Sequence, residues 1–180
     1  MNVSGMAEAS YVPYDDETHR NQFFELNLEY LTGLNELSSA QHGIEVNPGG
    51  TVLEYVESVF PSFAAIEPPD GIICILEVEG KPEGMGVLKK LENGVGEIKR
   101  MYVHSRSRGK GYGKGILNWL EERAREFGFS TLRLDTAEFA EAAVHIYRKA
   151  GFKEIQRYSG GEWDERSDVE AIQVFMEKDL

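Results

Sequence analysis

An alternating run of glycines and basic residues is the part of the sequence best suited to holding an anion. It reads Arg108-Gly109-Lys110-Gly111-Tyr112-Gly113-Lys114-Gly115. Glycine allows sharp turns and lets a ligand approach the main chain closely. A helical stripe from Ile116 to Phe127 follows the run, so the free N–H groups and the positive end of a helix dipole would face the same place. The pattern predicts a site for a compact anion such as a pyrophosphate.

Two common phosphate-binding loops differ from this run in their spacing. A Walker loop ends in Gly-Lys-Ser/Thr, whereas Lys114 is followed by Gly115. A dinucleotide fingerprint reads G-x-G-x-x-G, whereas these glycines alternate strictly with other residues. Asp135 nevertheless lies at the end of the next predicted strand, where a ribose-binding acid would belong. Dinucleotide binding therefore stays open as an alternative.

The distribution of charge sets this segment apart from the rest of the chain. The sequence has 19 Lys and Arg against 31 Asp and Glu, a formal net charge of −12. Such an acidic total argues against general nucleic-acid binding, which normally needs a basic face. Between residues 99 and 114 the charged residues are all basic: Lys99, Arg100, Arg106, Arg108, Lys110 and Lys114. This basic island favours an anion site, with a solvated loop as the alternative.

The chain is predicted to be one domain, residues 1–180, because its 180 residues leave little room for a second core. Residues 1–15 show no clear period; residues 1–10 are expected to form a flexible tail, followed by a short strand near residues 11–14. The longest apolar run, Ile72 to Leu76, is far too short to span a membrane, and the amino terminus lacks the apolar stretch of a secretion signal. A soluble, cytoplasmic protein with no membrane partner is expected.

The cysteine and histidine residues indicate neither a disulfide nor a metal site. The single cysteine, Cys74, cannot form an internal disulfide and lies within the apolar run, so a core position is expected. The four histidines, His19, His42, His104 and His145, lack the spacing of metal ligands. No metal is predicted.

The first half of the chain predicts two helices and three antiparallel strands. Apolar residues recur at helical spacing over 16–37, and Thr51 with Glu54 forms a capping box for a second helix, which Pro61 is expected to end. Strands are expected over 72–78, 85–91 and 96–103, with a hairpin turn at Asn93-Gly94. Alternation along the third strand would place Glu97, Lys99, Met101 and Val103 on one face and Ile98, Arg100 and Tyr102 on the other.

After the glycine-rich run, helices and strands are predicted to alternate. A strand is expected over 131–136, a helix over 140–150, a strand from Phe152 and a last strand over 171–177. Crossover helices return the chain to the same sheet, so parallel strands should join the antiparallel hairpins. The predicted fold class is therefore α/β with a mixed sheet: an antiparallel meander followed by βαβαβ, with helices on both faces.

Three motifs, in this order along the chain, resemble those of the GNAT superfamily of N-acetyltransferases. The segment Glu97 to Val103 resembles the family's fourth strand. Arg108-x-x-Gly111-x-Gly113 is similar to its Q/R-x-x-G-x-G/A signature, and Tyr147-x-x-x-Gly151-Phe152 to its helix ending in Y-x-x-x-G-F. The resemblance extends over residues 72–158 and more loosely over the last strand.

This resemblance implies that acetyl-CoA binds where the fourth and fifth strands splay apart. Backbone N–H groups of the glycine-rich run would hold the pyrophosphate, and the main chain of the fourth strand would pair with the pantetheine arm. The implied cofactor-binding residues are Met101, Tyr102, Val103, Arg108, Gly109, Lys110, Gly111, Tyr112, Gly113 and Lys114. The chain departs from the family at Ala140, where an asparagine is frequent, and so lacks one side-chain contact to the cofactor.

Acetylation of an amine implies two proton transfers, and the resemblance suggests a residue for each. An alkylammonium has a pKa of roughly 10.4, so a base must remove a proton. Glu97, beside the expected thioester, is the candidate base, directly or through water; the alternative is an ion pair with Lys99. Tyr147 is the candidate acid for the departing thiolate, or else a core tyrosine. A backbone N–H near Met101 or Tyr102 could stabilise the oxyanion.

The acceptor is expected to be chosen by the first two helices and by residues 159–170. This segment is rich in acid, and Glu162 and Asp164 would attract a small cationic amine or a peptide amine if they border the acceptor site. A solvated loop is the equal alternative.

The resemblance also leaves other functions and assemblies open. A coenzyme-binding regulatory module without catalysis, a protein acetylase that works with a partner, and a homodimer all remain possible at the level of sequence.

Overall fold

The computed structural model describes residues 8–180, so residues 1–7 of the tail predicted over residues 1–10 lie outside the described residues. The prediction is wrong for Ala9 and Ser10, which begin a strand because they pair with Val78 and Glu77. The helices are α1 (Asp16–His42), α2 (Val52–Ala64), α3 (Tyr112–Glu126) and α4 (Glu141–Lys149). The strands are β1 (Ala9–Pro13), β2 (Gly71–Val78), β3 (Lys81–Glu92), β4 (Val95–Val103), β5 (Thr131–Ala137), β6 (Lys153–Ile155) and β7 (Gln173–Asp179).

The seven strands form one mixed sheet in the order β1-β2-β3-β4-β5-β7-β6. The pairs from β1 to β4 are antiparallel, β4 and β5 run parallel, and β7 lies antiparallel between β5 and β6. The predicted antiparallel meander followed by alternating helices and strands is confirmed. The closing strand β7 inserts between β5 and β6. The apolar periodicity of single segments does not predict this strand order.

Strands β4 and β5 separate part of the way along their length. Their parallel pairing runs from Val95 opposite Thr131 to Ile98 opposite Leu134. Beyond this point β4 continues to Val103 and β5 to Ala137, with no further pairing between them among the described residues. The implied splay is therefore present, and it leaves one edge of the second half of β4 open.

Each face of the sheet carries its own core. On one face Ile116, Leu117 and Leu120 of α3 pack with Leu88 and Leu132 of the sheet. On the other face, side chains of α1 and α2 pack against β2 and β3; these are Phe23, Leu26, Phe60, Phe63, Ile73, Ile75, Met85 and Val87. Cys74 is fully buried as expected, and burial raises the pKa of its thiol to about 12.

A bulge in β4 overturns the predicted alternation of its side chains. Arg100 has a φ of 54°, and the register with β3 shifts between Met85 and Val87. A bulged residue breaks the two-residue repeat of a strand. As a result Met101 and Val103 pack with Ile98 on the α3 face, whereas Arg100 and Tyr102 face α1 and α2. The face of β4 toward α1 and α2 thus gains an arginine that simple alternation assigned to the opposite side.

Two predicted helix ends differ from the structure. The capping box of α2 is confirmed, with reciprocal hydrogen bonds between Thr51 and Glu54. The helix nevertheless continues through Pro61 to Ala64. Proline removes one backbone hydrogen bond, but Phe60 and Phe63 on either side are buried in the core, and this burial offsets the loss. Helix α1 ends at His42 rather than Leu37 because Gly43, with a φ of 67°, supplies the left-handed cap.

Candidate active site

The glycine loop, residues 108–115, links the end of β4 to α3 and presents unpartnered main-chain donors. Gly109 and Gly111 have φ values of 78° and 83°, a left-handed conformation that a side chain disfavours. Gly111 is the N-cap of α3 and no side chain caps this helix. Among residues 8–180, no acceptor bonds the N–H groups of Gly109 to Lys114. These donors, with the positive end of the α3 dipole, fit an anionic pyrophosphate.

The other two glycines of the loop serve packing. A Cβ at Gly113 would lie 3.3 Å from Cδ1 of Ile146, where α3 crosses α4. A Cβ at Gly115 would lie 1.8 Å from the hydroxyl oxygen of Tyr11, which is closer than atoms can approach. Gly115 is therefore required by β1 and not by a ligand.

The basic island divides into a half that pairs with the protein's own carboxylates and a half at the glycine loop. Lys99 and Arg100 are buried beside carboxylates, and the guanidinium of Arg106 binds both oxygens of Glu83 at 3.0 Å. The remaining members are exposed at the glycine loop: Arg108, Lys110 and Lys114. Three of the six basic residues thus neutralise the protein's own acids. The prediction of a single basic patch is wrong for these three residues.

The main chain of Met101, Tyr102 and Val103 borders the splay. Tyr102 and Val103 pair with Met85 and Gly84 of β3, and the opposite edge of all three residues lies past the last β4–β5 pair. The side chains point elsewhere: Met101 and Val103 toward the core under α3, and Tyr102 toward Glu29 of α1, to which its hydroxyl donates a hydrogen bond of 2.5 Å. Backbone groups alone are available here for an extended ligand.

Arg108 contacts the end of β4. Its Nε donates to the carbonyl of Val103 at 3.0 Å, and its guanidinium carbon lies 5.6 Å from the ring centroid of Tyr102. These contacts hold the start of the glycine loop against the end of β4.

Glu97 is a buried carboxylate on the α1 and α2 face of β4. It is 1% exposed, Tyr158 Oη donates to its Oε1 at 3.0 Å, and Lys99 Nζ lies 3.3 Å from the same oxygen. Burial raises the pKa of Glu97 because it penalises the ionised form; Lys99 opposes this rise and the nearby Asp135 adds to it. A carboxylate in this state is a stronger base than an exposed one.

Lys99 joins Glu97 to Asp135 of β5. Its Nζ lies 3.7 Å from Oδ1 of Asp135, whose Oδ2 accepts a hydrogen bond of 2.9 Å from Gln173. Burial lowers the pKa of Lys99, but Asp135 and Glu97 together outweigh burial and raise it overall. The lysine therefore stays charged and holds the two acids on adjacent strands together.

Tyr147 of α4 is 5% exposed and packs edge to face on Phe152, with ring centroids 5.9 Å apart. Burial raises the pKa of its hydroxyl, and the neighbouring Tyr30 and Asp135 raise it further. The phenol thus stays protonated at neutral pH, as a proton donor must.

The structure adds Arg100 to the site, a residue to which the sequence pattern assigned no role beyond its charge. It is 4% exposed, its Nη2 donates to Oε1 of Glu162, and the Tyr55 hydroxyl donates to the same oxygen at 2.6 Å. Within the described part of the chain, Arg100 Nε is buried without a hydrogen-bond partner. We call these residues, with their neighbours, the polar cluster: Tyr30, Tyr55, Glu97, Lys99, Arg100, Asp135, Tyr158 and Glu162.

The acidic segment 159–170 is largely neutralised by arginines. Glu162 binds Arg100, Asp164 lies 3.2 Å from Arg157, and Asp168 lies 2.5 Å from Arg166. Asp164 also accepts a hydrogen bond of 3.0 Å from the backbone of Gly160. The structure brings Glu162 to the polar cluster but leaves Asp164 in a turn of its own segment. The segment is thus held by one internal ion pair and by ion pairs to Arg100 and Arg157 outside it.

Ala140, where the family often has asparagine, lies at the start of α4. Ala140 is the N-cap of α4, and no side chain caps this helix. Elsewhere in residues 8–180, no three His, Cys, Asp or Glu side chains are grouped as a metal site. No helix among these residues has both the length and the apolar character needed to cross a bilayer.

Comparison with known proteins agrees with this geometry. The sequence profile of the Acetyltransferase (GNAT) family matches residues 33–152. The uncharacterized N-acetyltransferase YjgM of Escherichia coli K12 is 30% identical over 120 residues, which are 65% of this chain and 71% of that one. The uncharacterized N-acetyltransferase YsnE of Bacillus subtilis is 30% identical over 148 residues, 73% of this chain and 94% of its own.

A solved structure shares the fold. The PaiA N-acetyltransferase of Thermoplasma acidophilum, in complex with coenzyme A, superposes with a TM-score of 0.64 at 17% identity, over 96% of this chain and 99% of that one. At this identity the likeness concerns the fold alone. The family match, which spans more than half of the chain, shows that the protein belongs to the GNAT acetyltransferases. It is an acyltransferase that uses acetyl-CoA, and the dinucleotide-binding alternative is set aside.

Proposed function

We propose that the protein transfers the acetyl group of acetyl-CoA to a primary amine in a ternary complex, by direct attack of the amine. The observation that carries this proposal is the buried Glu97 carboxylate beside the β4–β5 splay, on the strand that leads to the glycine loop with its unpartnered N–H groups. A module that only binds coenzyme A needs the glycine loop and the splay, but not a buried base.

The cofactor would be held mainly by the main chain. Gly109 to Lys114 would bind the pyrophosphate, with Arg108, Lys110 and Lys114 as surrounding positive charge. The open edge of Met101 to Val103 would pair with the pantetheine arm, as an added strand does. Bound acetyl-CoA supplies an acyl group on a thiol leaving group, and the residues below move the protons.

Glu97 would take the proton of the attacking ammonium, directly or through one water. Its raised pKa brings its basicity closer to that of the amine, which improves proton transfer. The N–C bond forms as the electron pair of the thioester carbonyl moves to its oxygen, and a backbone N–H at Met101 or Tyr102 would stabilise this oxyanion. The C–S bond then breaks as the carbonyl re-forms and coenzyme A leaves as a thiolate.

Tyr147 would return a proton to the departing thiolate. Its raised pKa ensures that the proton is present at neutral pH, but it also makes the phenol a weaker acid than usual. We therefore expect Tyr147 to contribute less to the rate than Glu97.

A first experiment compares thermal unfolding with acetyl-CoA, NAD and ATP in parallel. At a hundred times its dissociation constant a specific ligand adds about 2.7 kcal/mol, which raises Tm by several degrees. Stabilisation by acetyl-CoA alone is expected. A larger shift with NAD would contradict the assignment of the glycine loop.

Release of thiol during incubation with a panel of primary amines then tests catalysis. Turnover with at least one amine is expected. If acetyl-CoA stabilises the protein but no amine is acetylated, the protein acts as a coenzyme-binding module, the reading that the missing side chain at Ala140 favours.

A further inference from the structure

Arg100 is a buried guanidinium whose hydrogen-bonding capacity is largely unused. A guanidinium has five N–H donors in a rigid fork. Within residues 8–180, Arg100 donates to one carboxylate oxygen, that of Glu162, and its Nε is buried without an acceptor. Buried donors without partners are rare in proteins because each one loses its hydrogen bond to water. The guanidinium can therefore donate a hydrogen bond to a second acceptor atom.

Aromatic side chains and one carboxylate surround Arg100, and we call these surroundings the slot. The guanidinium carbon lies 4.8 Å from the ring centroid of Phe63 and 6.0 Å from that of Tyr30. These rings keep the setting of the guanidinium less polar than water, which strengthens a charge-assisted bond made there. The Tyr55 hydroxyl donates to Oε1 of Glu162 at 2.6 Å and so holds this carboxylate beside Arg100.

The slot lies next to the proposed reaction centre. Arg100 is the bulged residue of β4, past the last β4–β5 pair at Ile98, so its backbone borders the splay. Its side chain is on the same face as that of Glu97, because Ile98 packs on the α3 face and Arg100 packs against Phe63 of α2. A small molecule anchored on Arg100 would extend toward Glu97 and the thioester.

We propose that the acceptor is an amine that also carries a carboxylate, such as a free amino acid, and that Arg100 binds this carboxylate. The two acceptor oxygens would take Nε and Nη2 in the paired geometry that arginine forms with carboxylates, displacing Glu162. Glu162 thus occupies the place of the substrate carboxylate when no acceptor is bound. The inference rests on the proposed amine acetylation and narrows its substrate class from the cationic amines expected earlier.

The test compares a panel of free amino acids with their carboxamides, using kcat/KM for thiol release, corrected to the concentration of neutral amine. In the wild-type protein, the preferred amino acids should exceed their amides by at least about tenfold, the factor equivalent to about 1.4 kcal/mol. In the double variant Arg100→Gln, Glu162→Gln the ratio should fall to about one. This pair of changes leaves no unpaired charge in the slot.

Arg166→Gln is the matched control. Arg166 supports the same acidic segment, through Asp168 and the carbonyls of Glu45 and Val46, without contacting Arg100. It should leave the acid-to-amide ratio unchanged. Equal rates for acids and amides in the wild type, or a preference that survives the double variant, would overturn the proposal.

A binding measurement separates failure of this inference from failure of the proposed function. With coenzyme A present, N-acetyl amino acids should raise Tm more than their N-acetyl amides, and the double variant should abolish the difference. If no amine is acetylated but this difference is seen, the carboxylate site stands and the catalytic proposal falls. If amines are acetylated and this difference is absent, the catalytic proposal stands and the carboxylate site falls.

Discussion

The glycine loop and the polar cluster lie at opposite ends of the β4–β5 splay and are built in different ways. The glycine loop is one contiguous segment that offers main-chain N–H groups to solvent. The polar cluster draws side chains from α1, α2, β4, β5 and the segment between β6 and β7, and its charges are mostly paired with one another. One region is ready for an anion, whereas the other must exchange an internal partner to bind a charged ligand.

This difference teaches where affinity and selectivity reside. Backbone N–H donors at a helix N-terminus bind phosphate oxygens independently of which amine is acetylated, because the main chain is the same for every residue type. A buried ion-pair cluster is costly to assemble, and removing one member leaves the others uncompensated. Changes in the glycine loop should therefore weaken the binding of acetyl-CoA. Changes in the polar cluster should alter turnover and the choice of amine.

The largest effect should come from Glu97→Gln. Without the base, kcat should fall about a hundredfold or more. In the wild type the rate should fall as pH drops through the pKa of Glu97, which lies above the ordinary glutamate range, because the base must be ionised. Pre-steady-state acetylation measured against pH should lose this acid limb in the variant.

The dissociation constant for acetyl-CoA is the control for Glu97→Gln. It should stay within about twofold of the wild type, since Glu97 does not face the glycine loop. An acid limb that persists in the variant would assign the base to another residue.

Tyr147→Phe should have a smaller effect on turnover, about thirtyfold, because water can partly replace a proton donor. The change removes one oxygen from a tyrosine that is 5% exposed, so Tm should change little. Steady-state rates with Tm measured on the same samples test this prediction. Full activity in a folded variant would leave Tyr147 as a core residue.

Gly111→Ala tests the glycine loop against a matched site. Gly111 and Gly128 have φ values of 83° and 82°, and both have open space where a Cβ would point. Either alanine should strain the backbone by about 1–2 kcal/mol. Relief of strain at Gly111 would turn the N–H donors, so acetyl-CoA should bind roughly tenfold more weakly. Gly128→Ala, at the other end of α3, should lower Tm without changing the affinity for acetyl-CoA. Equal affinities in titration calorimetry would contradict the role of the loop.

The smallest effect is expected from Lys110→Ala, Lys114→Ala. Both side chains are exposed, and charge at exposed positions is screened by solvent and salt. KM for acetyl-CoA should rise about threefold at low salt, and the difference should shrink as salt is added. Lys149→Ala, Lys153→Ala, which removes the same charge from exposed positions elsewhere, should leave KM unchanged. A rise that salt does not affect would point to a direct contact.

Local features of the sequence determined much of the fold and the cofactor side of the site. The capping box at Thr51 and Glu54, the turn at Asn93-Gly94 and the left-handed glycines at 109 and 111 act within a few residues of themselves. Conformational preferences of this kind are legible from the order of residues alone. The glycine loop was recognisable in the sequence for the same reason, because its residues are contiguous.

Tertiary structure decided how the polar cluster, the proposed acceptor side, is assembled. The bulge at Arg100 turned that side chain toward α1 and α2, and strict alternation cannot foresee a bulge. Glu162 reaches Arg100 across 62 residues, and Tyr55 reaches Glu162 across 107. Pro61 remained inside α2 because its neighbours are buried. Partners so distant in sequence are chosen by packing of the whole sheet and its helices, which residue order along one segment does not encode.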